Sequence, residues 1–141
     1  MKKWPKLIAI SPILLLLSCN LPQDPNKTLL KIRNSHVLKI GACSAIDQPE
    51  LNLLIAIAKE LNTKIVWSFN SQEELYHLLE KNKLDLVTCE IHSDSPWSNK
   101  LSFTLPYSQI NHTKYVFAVP KGENAWLSYI NKFIYKEKGH K

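Results

Sequence analysis

The segment Cys89-Glu90-Ile91-His92-Ser93-Asp94 places a thiol, two carboxylates and an imidazole within six residues, and Cys43 lies upstream. Thiolate, imidazole and carboxylate are soft to borderline ligands that suit zinc or copper. The spacing matches no established metal motif, and the same cysteines read as two separate buried thiols beside a polar loop. Glu90 and Asp94 share that loop, but no acid–base role follows from proximity in sequence alone. Trp97 follows Pro96 in the same stretch. An aromatic there stacks on a ligand, anchors a partner, or plugs one end of a sheet. His36, His112 and His140 have no companions at useful spacing, and His77, between Tyr76 and Leu78, is expected to face solvent. With 3 glycines there is no Gly-rich phosphate loop, and neither a nucleophile elbow nor a His-Glu-x-x-His string occurs. The chain reads as a binding protein that is not an enzyme and uses no cofactor.

These side chains need a scaffold, and the apolar pattern supplies one. His36 to Cys43 reads as a strand, followed by a loop with Ser44, Asp47 and Pro49. Leu51, Leu54, Ile55, Ala58 and Leu61 recur at helical spacing after Pro49 and Glu50, and Asn62 suits the helix end. Lys64 to Phe69 reads as a second strand. Ser71-Gln72-Glu73-Glu74 is a capping-box pattern that opens a helix buried through Leu75, Leu78 and Leu79, with Asn82 suited to a left-handed stop. Leu84 to Cys89 reads as a third strand, Ser102 to Thr104 as a short one, and Lys114 to Val119 as another. Asn124 to about Lys136 closes the chain as a helix with Trp126, Leu127, Ile130, Phe133 and Ile134 on one face. Trp67 and Trp126 are expected in the core, and Asp85 in a structural role. Strand and helix alternate over short links, which predicts an α/β unit with a mostly parallel sheet flanked by helices. In such sheets the loops after the strand C-termini form the ligand crevice. The residues expected there are Ser44, Asp47, Asn70, Glu90, His92, Asp94 and Trp97.

The first 18 residues stand apart. Lys2, Lys3 and Lys6 precede an apolar run from Leu7 to Leu17 that is too short to span a bilayer. Leu16-Leu17-Ser18-Cys19 resembles the lipobox of bacterial lipoproteins, where the cysteine is acylated and the signal is cut before it. That implies export, with Cys19 as the lipidation site and firm anchoring to the membrane by several acyl chains. Loss of Lys2, Lys3 and Lys6 halves the formal charge of +6 to +3. An exported chain does not meet nucleic acid, so no nucleic-acid partner is expected. Asn20 after the cysteine favours the outer membrane over the inner, on the periplasmic side. The expected organisation is a signal peptide over 1–18, a flexible tether over 19–35, one lobe over 36–135 and a basic tail over 136–141. With 141 residues, a second domain of ordinary size does not fit.

Several strings resemble those of a known family. They are Leu38-Lys39-Ile40-Gly41, the helix Leu53 to Leu61, Leu75 to Leu79, Lys83-Leu84-Asp85-Leu86-Val87 and Phe103-Thr104-Leu105-Pro106-Tyr107. In this order they resemble lobe one of the family 3 extracellular solute-binding proteins, the periplasmic receptors of polar amino acid ABC importers. The string Asp94 to Lys100 is similar to a smaller single-lobe set of transporter substrate-binding proteins. The resemblance implies one lobe of the type II periplasmic binding protein fold, with the second lobe absent. It implies a substrate-binding component of an ABC-type transporter, with a small polar solute as ligand and an ABC permease or other membrane protein as partner. The alternative is a non-transport interaction or sensory module derived from such a lobe. By counting, Trp97 stands near the family's carboxylate-gripping Arg. In the resembling fold the strands ending at Cys43 and Cys89 are neighbours, which brings a disulfide between them within reach.

Overall fold

The structure, a computed structural model, describes residues 24–139. The expected export signal, Cys19 and the first part of the expected tether lie outside the described residues, as do His140 and Lys141 at the other end. Among the described residues no helix is long and apolar enough to cross a membrane.

The elements run α1 (Thr28–Ser35), β1 (Val37–Ala42), α2 (Gln48–Glu60), β2 (Lys64–Phe69), α3 (Gln72–Glu80) and β3 (Leu86–His92). A 3-10 turn over Pro96–Asn99 follows, then β4 (Leu101–Phe103), β5 (Ser108–Ile110), β6 (Thr113–Pro120) and α4 (Asn124–Lys138). The six-stranded sheet has the order β2-β1-β3-β6-β4, with β5 paired to β6. It is an α/β fold with a central sheet flanked by helices. The expected parallel arrangement holds for β2, β1 and β3. The sheet as a whole is mixed, because β6 runs antiparallel to β3, β4 and β5.

Two apolar clusters hold the layers together. On one face α1, α2 and α4 cover the sheet through Ile32, Leu54, Ile57, Trp126, Ile130 and Ile134. On the other, α3 contributes Leu75, Tyr76 and Leu79 against Val87, Leu101 and Val116. Gly41 explains how closely α3 lies. A Cβ at that position would stand 2.7 Å from Leu75 Cδ2 and 2.8 Å from Leu84 Cδ1. Asn62 and Asn82 take left-handed stops after α2 and α3, as their side chains allow (φ 53° and 55°).

Several expectations need correction. Residues 24–35 do not continue a tether: Thr28 and Ile32 of α1 are buried, and Asp24 is fastened to the start of α4. The expected basic tail is largely helical, since α4 runs through Lys138. In α2 the buried stripe passes through Ile57, leaving Ile55 48% exposed. In α3 Tyr76 is fully buried, while Leu78 is half-buried. Trp67 is half-buried because β2 is an edge strand, where its ring stacks on Phe69.

Candidate functional site

β1, β2 and β3 are parallel, so their C-terminal ends meet at one edge of the lobe. Cys43 and Cys89 form a disulfide there, with Cα atoms 5.1 Å apart. This consumes both thiols and removes the metal reading. No group of three or more His, Cys, Asp or Glu able to hold a metal occurs among the described residues. The bridge ties the loop after β1 to β3, and the Asn70 amide donates to the Ala42 carbonyl at 3.4 Å beside it.

Local rules place the remaining loop residues. Asp47 caps α2, its carboxylate accepting the Glu50 amide at 3.3 Å, with Pro49 in the first turn. Ser71 caps α3 by accepting the Glu74 amide. The pairing of β3 with β6 shifts register between Val87 and Ile91, and Glu90 takes φ 49° within that shift. Such a bulge re-aims a side chain, and Glu90 is exposed. His92 meets Tyr115 edge-on, with ring centroids 5.4 Å apart. The Ser95 amide closes a turn onto the His92 carbonyl, leaving Asp94 exposed. Ser44, Asp47, Asn70, Glu90, His92 and Asp94 thus gather at the strand C-termini, all exposed.

Trp97 does not join them. Its ring packs against Tyr76, with centroids 4.8 Å apart, and belongs to the α3-side cluster. Lys100 lies over its outer face, 5.4 Å from the centroid. Trp97 fills a core and does not line the crevice.

Glu50, which in the sequence marks only the start of a helix, lies at the same edge. It is 7% exposed, and its Oε1 is buried without a hydrogen-bond partner. Burial, reinforced by the charges of Asp47 and Glu90, pushes its carboxyl up to about 7. Tyr107 faces Glu50 and Thr88, and its ring stacks on Phe117 with centroids 4.2 Å apart. Burial and then the Glu50 charge push its phenol upward. Alongside lies a hollow of about 610 Å³ lined by Asp47, Glu50, Asn52, Tyr107, Ser108 and Lys138, among others. A carboxyl raised in this way keeps its proton to a higher pH than an exposed one does. The signal for it was the Asp47-x-x-Glu50 pattern, a cap followed three residues later by an acid.

No family model matches the chain, and no curated protein matches it. Solved structures match it by fold. Domain 1 from TmArgBP, in an arginine-bound mutant form, has 18% identity and a TM-score of 0.71, over 79% of this chain and 98% of that one. An amino acid ABC transporter substrate-binding protein from Streptococcus pneumoniae, bound to L-arginine, has 11% identity and a TM-score of 0.68, over 80% and 92%. An ancestral cyclohexadienyl dehydratase has 11% identity and a TM-score of 0.70, over 79% and 91%. The architecture is that of a single lobe of a periplasmic binding protein. At these identities the likeness speaks for the fold alone.

Proposed function

We propose that this chain is an exported, lipid-anchored solute-binding lobe serving an ABC-type transporter. Its ligand would be a small polar solute that presents a positive charge. The observation that carries this reading is the edge where the parallel strands end. Asp47, Glu90 and Asp94 are exposed there, Glu50 lies beneath them, and the disulfide fixes the two loops that bear them. Asp47, Glu50 and Glu137 outnumber Lys138 around the adjoining hollow, and such an acidic excess in a concave, partly desolvated setting favours an ammonium or guanidinium group. Two of the fold's neighbours are described as arginine-bound, which agrees with that chemistry. A disulfide also fits the oxidising compartment to which the N-terminal signal would lead.

Isothermal titration of the chain from Asn20 to Lys141 tests the reading. L-arginine or L-lysine should bind saturably at 1:1, L-glutamate should not, and Asp47→Asn or Glu90→Gln should weaken binding about tenfold. Equal heats from L-arginine and L-glutamate, or no saturable heat from any solute, would overturn it. Acylation has a separate test: a palmitate analogue should label the wild type and spare Cys19→Ala.

A second reading, an interaction or sensory module, draws on Phe69 and Ile110. They are 61% and 56% exposed near the same edge. Absence of solute binding together with stoichiometric capture of a permease subunit, abolished by Phe69→Ser, would favour it.

A further inference from the structure

The opposite end of the lobe carries the opposite charge. β1 and β2 begin there, with Val37 paired to Lys64, and β6 ends there at Pro120. Lys27, Lys31, Lys39, Lys64, Lys83 and Lys121 lie on the segments at this end, and all six are exposed. The close ion pairs found among the described residues are those of His77 with Glu73 and Glu80; the Asp85 carboxylate lies near enough to Lys39 and Lys31 to feel their charge, and one carboxylate leaves the six lysines in clear excess.

Carboxylates at this end are turned to the backbone. Glu123 accepts the Asn26 and Thr28 amides, each at 2.8 Å. Asp24 accepts the Asn124 and Ala125 amides, and Asp85 accepts the Lys39 amide at 2.8 Å. Glu60, on the last turn of α2, is engaged by the Tyr129 hydroxyl. The lysines are left outermost. Between the α1–β1 and α2–β2 turns the surface dips into a hollow of about 480 Å³ lined by Ser35, His36, Asn62, Thr63 and Lys64.

The described residues begin at this same end. Asp24, the first described residue, is fastened to the start of α4. Cys19 precedes it by five residues, which reach about 17 Å even when fully extended. An anchor at Cys19 would therefore bring the lysine end, and not the acidic end, to the bilayer surface.

We propose that this lysine face is a docking surface for a bilayer rich in anionic lipid headgroups, holding the acidic solute edge away from the membrane. The orientation rests on the anchored reading above, whereas the affinity of the face for anionic lipid does not. A polybasic face near a negative bilayer gains from each lysine and loses that gain as salt screens it.

The test uses the chain from Asn20, which cannot be acylated at Cys19, so its outcome is independent of the anchor. The whole described sheet and both clusters fall within it, and a single lobe of the same fold has a crystal structure of its own. Co-sedimentation should show binding to phosphatidylcholine vesicles that contain phosphatidylglycerol, weakening with salt, and none to phosphatidylcholine alone. Lys31→Ala, Lys39→Ala and Lys64→Ala should each lower the partition coefficient about fivefold. Lys114→Ala and Lys136→Ala, at the acidic end, should leave it unchanged. Equal binding to neutral vesicles, or equal losses from both groups of variants, would overturn the proposal.

Discussion

Asp24 and Glu123 cap each other's helices from opposite ends of the chain. The Asp24 carboxylate accepts the Asn124 and Ala125 amides at 2.9 and 2.7 Å, where α4 starts. The Glu123 carboxylate accepts the Asn26 and Thr28 amides where α1 starts. α4 receives no cap hydrogen bond from its own preceding side chain, so Asp24 supplies what Glu123 does not. The exchange joins the N-terminal segment to the closing helix and makes α1 part of the lobe.

Glu123→Gln should therefore destabilise the fold by about 2–3 kcal/mol, because it replaces a carboxylate that two amides address with an amide that is itself a donor. The amides of Thr28 and Asn26 outweigh the effect of burial and hold the Glu123 carboxyl below its usual range. Its stabilising contribution is present above the unfolded pKa and is lost as pH falls through the folded one. Denaturant titrations of both proteins should converge in acid; an unchanged gap across that range would refute the pairing.

The disulfide closes a loop of sequence separation 46. Cys43→Ser with Cys89→Ser should lower stability by about 2–4 kcal/mol, chiefly by freeing the unfolded chain. The double variant should also loosen the β1 loop. Amide exchange at Ser44 and Ala45 would then speed up more than exchange at Leu54, which lies in the core of α2. Uniform acceleration would mean that the bridge stabilises globally without organising the site.

Trp97→Ala separates a core residue from a ligand residue. Removing a half-buried indole from Tyr76 should cost about 2–3 kcal/mol. Solute affinity should hold wherever the variant is folded. A large loss of affinity with unchanged stability would restore Trp97 to the crevice.

The parts of the fold set by local pattern were legible in the sequence. Asn62 and Asn82 mark helix stops, Ser71 marks a cap, and Leu54, Ala58 and Leu75 mark buried faces, because each depends on neighbours a few residues away. What was missed depends on distant partners. α1 is short, with few apolar residues, and is secured by Glu123 from 95 residues away. The edge position of β2, which leaves Trp67 half-buried, follows from strand order and not from the string Lys64 to Phe69. In the candidate site the exposed loop residues were legible because strand ends must carry loops. Trp97 was misplaced because counting along a chain does not show which side of a sheet a loop descends. Glu50 escaped because Tyr107, which faces it in the fold, stands 57 positions later in the sequence.

Glu50 leads to a pH dependence of definite sign. Its carboxyl titrates at about 7 in the folded chain, against 4.5 ordinarily. Between those values the folded state keeps a proton that the unfolded state releases, so stability falls as pH rises across the interval. Burial is the main cause, and Asp47 and Glu90 act in the same direction by adding negative charge, while the Tyr107 hydroxyl opposes them and offsets only part of the shift. Allowing for partial solvent screening, the change should be about 2 kcal/mol. Glu50→Gln should flatten it, so the variant gains on the wild type from about pH 5 to about pH 8. The same group gives a second readout. A cationic solute seated beside Glu50 would favour its ionised form, so binding near neutrality should release a fraction of a proton. Titration of L-arginine in two buffers of different ionisation enthalpy measures that release, and Glu50→Gln should abolish it. A pH-dependent stability without proton release on binding would make Glu50 a buried structural acid and move the solute to Asp47, Glu90 and Asp94 alone.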